Sequence, residues 1–249
     1  MSDPEAAPEA GAARTAELSV NLAAVRARIA AACAAAGRPA ADVALIAVTK
    51  LFPVSDVVAL SELGISDVGE NRDQEAAPKA AAAAALGVSL TWHFVGQLQA
   101  NKAASVVSYA DVVHSVDRPG LVSALSRRAV AAGRGEPGRA LRCLIQVSLD
   151  GAAGRGGTQP ADVPALADAI AAAGGLALEG VMAVAPLGAD PRPAFARLAD
   201  IADMVRAAHP AARAISAGMS GDLEDAIAEG ATLVRIGTAL LGGRRAFVR

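Results

Sequence analysis

Two cations and two glycine-bearing turns carry the chemistry of this sequence. Lys50 closes the apolar run ALIAVTK (44–50), and Arg235 sits within another, TLVRIGT (232–238). A lysine amine attacks a carbonyl only when neutral, and burial beside a second cation favours the neutral form. The stretch ISAGMSGDLEDAIAEG supplies Ser216, Gly218 and Ser220 ahead of an acidic, amphipathic helix. Free backbone N–H groups at such a positive helix end suit an anion. RIGTALLGGR adds Gly237, which permits close backbone approach, and Thr238 as a hydroxyl donor. Taken singly, Lys50 is a snorkelling strand end, Ser220 an N-cap and Gly237-Thr238 a strand-to-helix turn. Taken together, they suggest a Schiff base to a phosphorylated aldehyde or ketone. A sugar phosphate and pyridoxal phosphate (PLP) both qualify. The ring nitrogen of PLP needs a partner such as Asp or Arg, and Arg235 stands two residues before the phosphate turn. That spacing favours PLP.

These residues must be brought together by an alternating chain. Strand candidates are 44–50, 66–71, 91–96, 111–116, 141–148, 178–184, 213–218 and 232–238. Helix-like stretches lie between them, including 54–63, 118–132, 160–173 and 193–208, and 16–36 precedes them with Leu18, Leu22, Val25 and Ile29 in helical spacing. Short apolar strands separated by helices describe a parallel sheet covered by helices. Eight of them in 249 residues predict a single (β/α)₈ barrel spanning 16–249, with 1–15 as a flexible tail. In that fold function gathers at the C-terminal strand ends, and a phosphate site is frequent after strands seven and eight. Period-two alternation puts Ile46, Val48 and Lys50 on one face, and Leu233, Arg235 and Gly237 on one face. Strands one and eight are neighbours in a closed barrel.

Composition excludes several alternatives. A formal net charge of -2 offers no basic excess for nucleic acid or an anionic membrane, and an aromatic content of 2% leaves no base-stacking surface. No apolar run is read as reaching the roughly 20 residues that span a bilayer. The opening MSDPEAAPEAGAART lacks the basic and apolar regions of a secretory signal. Cys33 and Cys143 suggest neither a disulfide framework nor a metal site, which fits a reducing cytoplasm.

The ordered set AVTKLFP, VGENRDQE, WHFVGQLQANK, VHSVDR, GVMAVAP and ISAGMSGDLEDAIAEGATLVRIGTALLGGR resembles the pyridoxal phosphate homeostasis (YggS/PROSC) family from Leu22 to Arg244. The resemblance implies a barrel similar to the alanine racemase N-terminal domain, without that enzyme's added β domain. It implies that Lys50 forms the Schiff base with PLP, that Arg235 faces the pyridine nitrogen, and that Asn71 lines the pocket. Ser216, Met219, Gly237 and Thr238 match the phosphate-binding segments. His93 falls in the family's WHF motif. Where many members have serine before the lysine this chain has Thr49, and VGEN replaces the commoner FGEN. The loop after strand five, DGAAGRGGTQP, carries Arg155 where many members have lysine, and arginine forms no Schiff base.

The same residues argue against turnover. Arginine at the ring nitrogen discourages protonation and weakens the electron sink. Racemisation needs an acid–base group on each face, and Tyr109, the only tyrosine, lies at a helix-to-strand approach. No catalytic residue is assigned. The resemblance implies a PLP-binding monomer of vitamin B6 homeostasis, with PLP-dependent apoenzymes as possible recipients. The alternative is a small PLP-dependent racemase or lyase.

Overall fold

The computed structural model describes residues 6–150 and 156–243. Its strands are β1 (Ala44–Val48), β2 (Asp67–Glu70), β3 (Thr91–Phe94), β4 (Val112–Val116), β5 (Leu141–Gln146), β6 (Leu176–Met182), β7 (Ala214–Ser216) and β8 (Leu233–Ile236). They close a parallel barrel in sequence order, with Ala44 to Ala47 of β1 in register with Leu233 to Ile236 of β8. The expected (β/α)₈ architecture is present, and each of the eight expected strands has its counterpart. Helices α1 (Ala6–Ala35), α2 (Val54–Glu62), α3 (Asp73–Ala85), α4 (Ala103–Tyr109), α5 (Pro119–Ala131), α6 (Val163–Ala171), α7 (Arg192–Ala208), α8 (Leu223–Ala228) and α9 (Thr238–Leu241), with short 3₁₀ turns at Ala40–Asp42, Ala100–Lys102 and Pro160–Asp162, make up the rest of the element order.

Alternation along each strand sorts the side chains into two layers. Ala47, Val68, Val234 and Ile236 join Leu18, Leu22, Val57 and Leu60 in an apolar layer between sheet and helices. A second outer cluster packs Val113, Cys143, Ile145 and Val181 against Leu121, Leu125, Leu166, Phe195 and Leu198. With so few aromatics, aliphatic side chains do most of this packing. Ile46 and Val48 point the other way, into the barrel: a Cβ on Gly69 would come within 3.1 Å of Ile46 and 3.4 Å of Val48. Glycine is required where β6 bulges. Gly180 has φ 153, and a side chain there would strike the Ala214 carbonyl at 1.9 Å.

Two expectations need correction. The helix that covers the first strands begins at Ala6, so the segment from Ala6 to Thr15 is helical rather than a tail; residues 1–5 lie outside the described residues. Alanine favours the helix, and Arg14 pins it by bonds to Asp56 (2.7 Å) and the Leu241 carbonyl (2.9 Å). Within α1, Gly11–Ala35 is also long and apolar enough to cross a membrane by length and composition, contrary to the expectation that no segment is. In the fold its Leu18, Leu22, Val25, Ile29 and Cys33 stripe is buried against the barrel. Gly37, with φ 65, follows the helix as expected.

Candidate functional site

Lys50 stands where β1 turns into its loop. Thr49 is fully buried, and Lys50 is exposed at the second position of the turn Thr49–Phe52, which the Phe52 N–H closes on the Thr49 carbonyl at 3.1 Å. Leu51 in this turn has φ 68, the one non-glycine residue with positive φ among the described residues. A left-handed leucine costs about 1–3 kcal/mol and persists only where its surroundings enforce it. The enforcement comes from α3 and the end of β2. Lys79 donates to the Thr49 carbonyl (2.9 Å) and to Glu70 Oε1 (2.6 Å), the Thr49 hydroxyl donates to the same Glu70 oxygen (2.7 Å), and the Leu51 N–H reaches Glu75 (3.3 Å). Lys50 therefore stands two residues beyond the end of β1 and is exposed, and the expected burial of its amine is not what the fold provides. Among the described residues it has no carboxylate partner.

Arg235 is the opposite case. It lies on the inward face of β8, and its side chain is buried. Nη1 donates to the Ser216 carbonyl (2.8 Å) and hydroxyl (2.6 Å), and Nη2 donates to the Ala183 carbonyl just past β6 (2.9 Å). Three of the five guanidinium N–H groups are thus committed to the ends of β6 and β7, and two make no hydrogen bond among the described residues. Burial lowers this group's pKa to about 10, with Asp222 opposing at a distance, so the cation persists at neutral pH without a paired carboxylate. A locked, buried guanidinium with spare donors fits an acceptor group at the barrel mouth.

The β7 and β8 loops form one unit. Gly218, with φ 89, accepts the Arg235 N–H at 2.9 Å, and a Cβ there would meet Ala226 at 2.7 Å. Met219 is exposed and its N–H is held by Asp222 (2.6 Å). Ser220 does not cap its own helix: its hydroxyl accepts the Ala239 N–H (3.1 Å) at the start of α9, joining the two turns. Gly237 and Thr238 open that same turn, with the Thr238 hydroxyl on an exposed residue. Asn71, half-buried after β2, lies against β3's exit so closely that a Cβ on Gly96 would fall 2.1 Å from its carbonyl. The fold thus brings Lys50, Asn71, Met219, Arg235, Gly237 and Thr238 to the same end of the barrel. Ser216 joins them with a difference, because its fully buried hydroxyl faces Arg235 and the barrel interior. Arg155 lies outside the described residues.

Sequence reasoning singled out His93, Ser216 and Arg235 but missed Asp67 and His114, which link them inside the barrel. His93 on β3 bonds Asp67 (2.9 Å) and His114 (2.8 Å), and His114 on β4 bonds the Ser216 hydroxyl (2.9 Å). Burial holds His114 well below the ordinary imidazole range, with His93, Arg235 and Arg142 adding to the effect. Burial raises the Asp67 carboxyl, but hydrogen bonds from His93 and Ser66 outweigh it and leave the group below its usual range. The available signal was a histidine at an inward position in each of two apolar strands. The Glu70–Lys79 pair was also missed, although Glu70 sits in the GEN motif.

Residues 20–245 match the family model for the alanine racemase N-terminal domain, so the class defined by fold and mouth is that barrel. A pyridoxal phosphate homeostasis protein of Mycobacterium bovis is 48% identical over 244 residues, covering 93% of this chain and 95% of the relative. PipY of Synechococcus elongatus, solved with PLP bound, has a TM-score of 0.77 at 34% identity and covers 90% of this chain and 100% of its own. A crystal structure of a protein from Bifidobacterium adolescentis reaches a TM-score of 0.83 at 34% identity, over 92% and 96% of the two chains. The chain belongs to the pyridoxal phosphate homeostasis protein family.

Proposed function

We propose that this protein binds PLP at the C-terminal mouth of its barrel and serves intracellular vitamin B6 homeostasis without turnover. The observation that carries this reading is Arg235: a buried cation, fixed by three bonds and paired with no carboxylate among the described residues, beside the strand that ends near Lys50. Bound there, PLP would supply an aldehyde open to amine attack, a pyridine ring and a phosphate. Lys50, in no ion pair among the described residues and standing in a strained turn, captures the aldehyde. Arg235 offers its spare N–H groups to the ring nitrogen. The turns containing Met219 and Gly237-Thr238, tied together by Ser220, receive the phosphate, and Asn71 walls the opposite side.

Support for a carrier over an enzyme lies in what surrounds these groups. Arg235 stays cationic and only donates, so it leaves the ring nitrogen unprotonated and the ring a poor electron sink. Tyr109 packs between the two outer apolar clusters, and burial pushes its hydroxyl well above the usual phenol range. It is poorly placed and poorly charged to serve as a second base. Cytoplasmic location agrees with two free, buried cysteines, Cys33 and Cys143. A monomer that passes PLP to apoenzymes completes the reading.

The test uses colour and turnover together. The purified chain, given PLP and passed through gel filtration, is expected to remain yellow, and Lys50→Ala to elute folded and colourless. A colourless wild type contradicts the proposal. Amino-acid racemisation by the wild type that Lys50→Ala lacks would favour the enzyme alternative.

A further inference from the structure

The interior polar groups form one continuous chain across the barrel, from Arg235 on β8 through Ser216 on β7, His114 on β4 and His93 on β3 to Asp67 on β2. Its links measure 2.6, 2.9, 2.8 and 2.9 Å. Ser216, His114 and His93 are all 4% exposed or less, so water does not complete their bonding. The proton positions follow by elimination. A guanidinium only donates, so the Ser216 oxygen accepts from Arg235 and the hydroxyl proton needs an acceptor. Among the described residues the remaining neighbour of that oxygen is His114 Nδ1, which must therefore be bare. A neutral His114 then carries its proton on Nε2 and donates to His93 Nδ1. His93 in turn holds its proton on Nε2 and donates to Asp67, a carboxylate that only accepts. Every link is satisfied in this direction. Reversed, the Ser216 proton is left without a partner in a dry site, an uncompensated loss of its hydration.

We propose that Asp67, His93 and His114 are positioning residues, forming a one-directional hydrogen-bond relay that sets the Ser216 hydroxyl and thereby fixes Arg235 at the barrel mouth. The relay joins the two ends of the barrel. Asp67 is the first residue of β2, at the N-terminal end, with its side chain 24% exposed, whereas Arg235 reaches the carbonyl after β6 at the other. A change at Asp67 is passed on by reversing both tautomers, which turns the Ser216 hydroxyl proton away from His114 with no movement of the backbone. Its effect on PLP rests on the function proposed above; the relay itself does not.

The experiment is ¹⁵N-histidine NMR on the ligand-free full chain. His93 and His114 are both expected as neutral imidazoles protonated on Nε2. A charged His93, or opposite tautomers at the two rings, overturns the relay without any variant. Asp67→Lys places a donor where an acceptor stood, and both rings are expected to move the proton to Nδ1. Asp67→Asn, whose amide oxygen still accepts, is expected to keep the wild-type pattern. A flip at His93 that leaves His114 unchanged overturns the coupling. The flipped variant is expected to bind PLP at least several-fold more weakly while still accepting it on Lys50, and unchanged affinity overturns the link to the mouth. A wild type that binds no PLP refutes the proposed function alone, because the tautomers are read without it.

Discussion

The two faces of the barrel sheet obey different chemistry. Outside, between strands and helices, packing is apolar and nearly continuous, with Leu60, Leu121, Leu125 and Leu198 fully buried. Inside, an apolar group of Val112, Leu144 and Met182 shares the space with Asp67, His93, His114, Ser216 and Arg235. The outer face takes its stability from area removed from water, which is tolerant of detail. The inner face buries a cation and two imidazoles, and each must find a partner of the right polarity. The contrast separates what holds the fold from what serves the mouth: the outer layer could be rebuilt with other aliphatics, whereas the inner chain admits few substitutions.

The sharpest way to break the outer layer is to hollow it. Phe195, 2% exposed on α7, packs in the larger cluster, and Phe195→Ala is expected to cost about 3–5 kcal/mol in a denaturant titration. A loss under about 1 kcal/mol would show that the site collapses and that the outer layer is looser than its burial implies.

The inner face predicts a smaller effect that depends on pH. Folding holds His114 neutral, far below its unfolded pKa, so below about pH 6.5 the unfolded chain binds a proton that the folded chain refuses. Stability therefore rises with pH through this range and falls on acidification, by up to about 1.4 kcal/mol per pH unit for one group. Asp67 acts in the same sense at lower pH, because its folded carboxyl is depressed and its contribution is lost as that carboxyl protonates. His114→Gln is expected to flatten the first part of this slope when unfolding is followed between pH 5 and 7. An unchanged slope would mean that His114 is protonated in the folded state, against the tautomers inferred above.

The outer face was readable from sequence because its signal is redundant. Each strand repeats the alternation, and each covering helix repeats the three- and four-residue spacing, so a barrel of eight strands followed. Lys50, Arg235 and the two turns were readable from residue type and from the topological rule that gathers strand ends. What escaped depended on single torsions and single partners. The apolar run suggested a buried Lys50, but β1 ends at Val48 and the turn that follows, with Leu51 at φ 68, leaves Lys50 exposed; nothing in TKLFP announces that torsion. The N-terminal stretch reads as a tail from its acids and prolines, while its alanines and the contacts of one residue, Arg14 with Asp56 and the Leu241 carbonyl, favour the helix. His114 in DVVHSV is indistinguishable in sequence from a core histidine, and only its distances to His93 and Ser216 make it part of a chain.

The central claim is that the exposed amine of Lys50 and the buried cation of Arg235 hold opposite ends of one PLP molecule. Borohydride reduction of the PLP-treated chain, followed by peptide mass analysis, tests it most directly. The account predicts a PLP-sized mass on the peptide containing Lys50 and none at that position in Lys50→Ala. An adduct confined to other lysines, or a chain left unmodified, would contradict it.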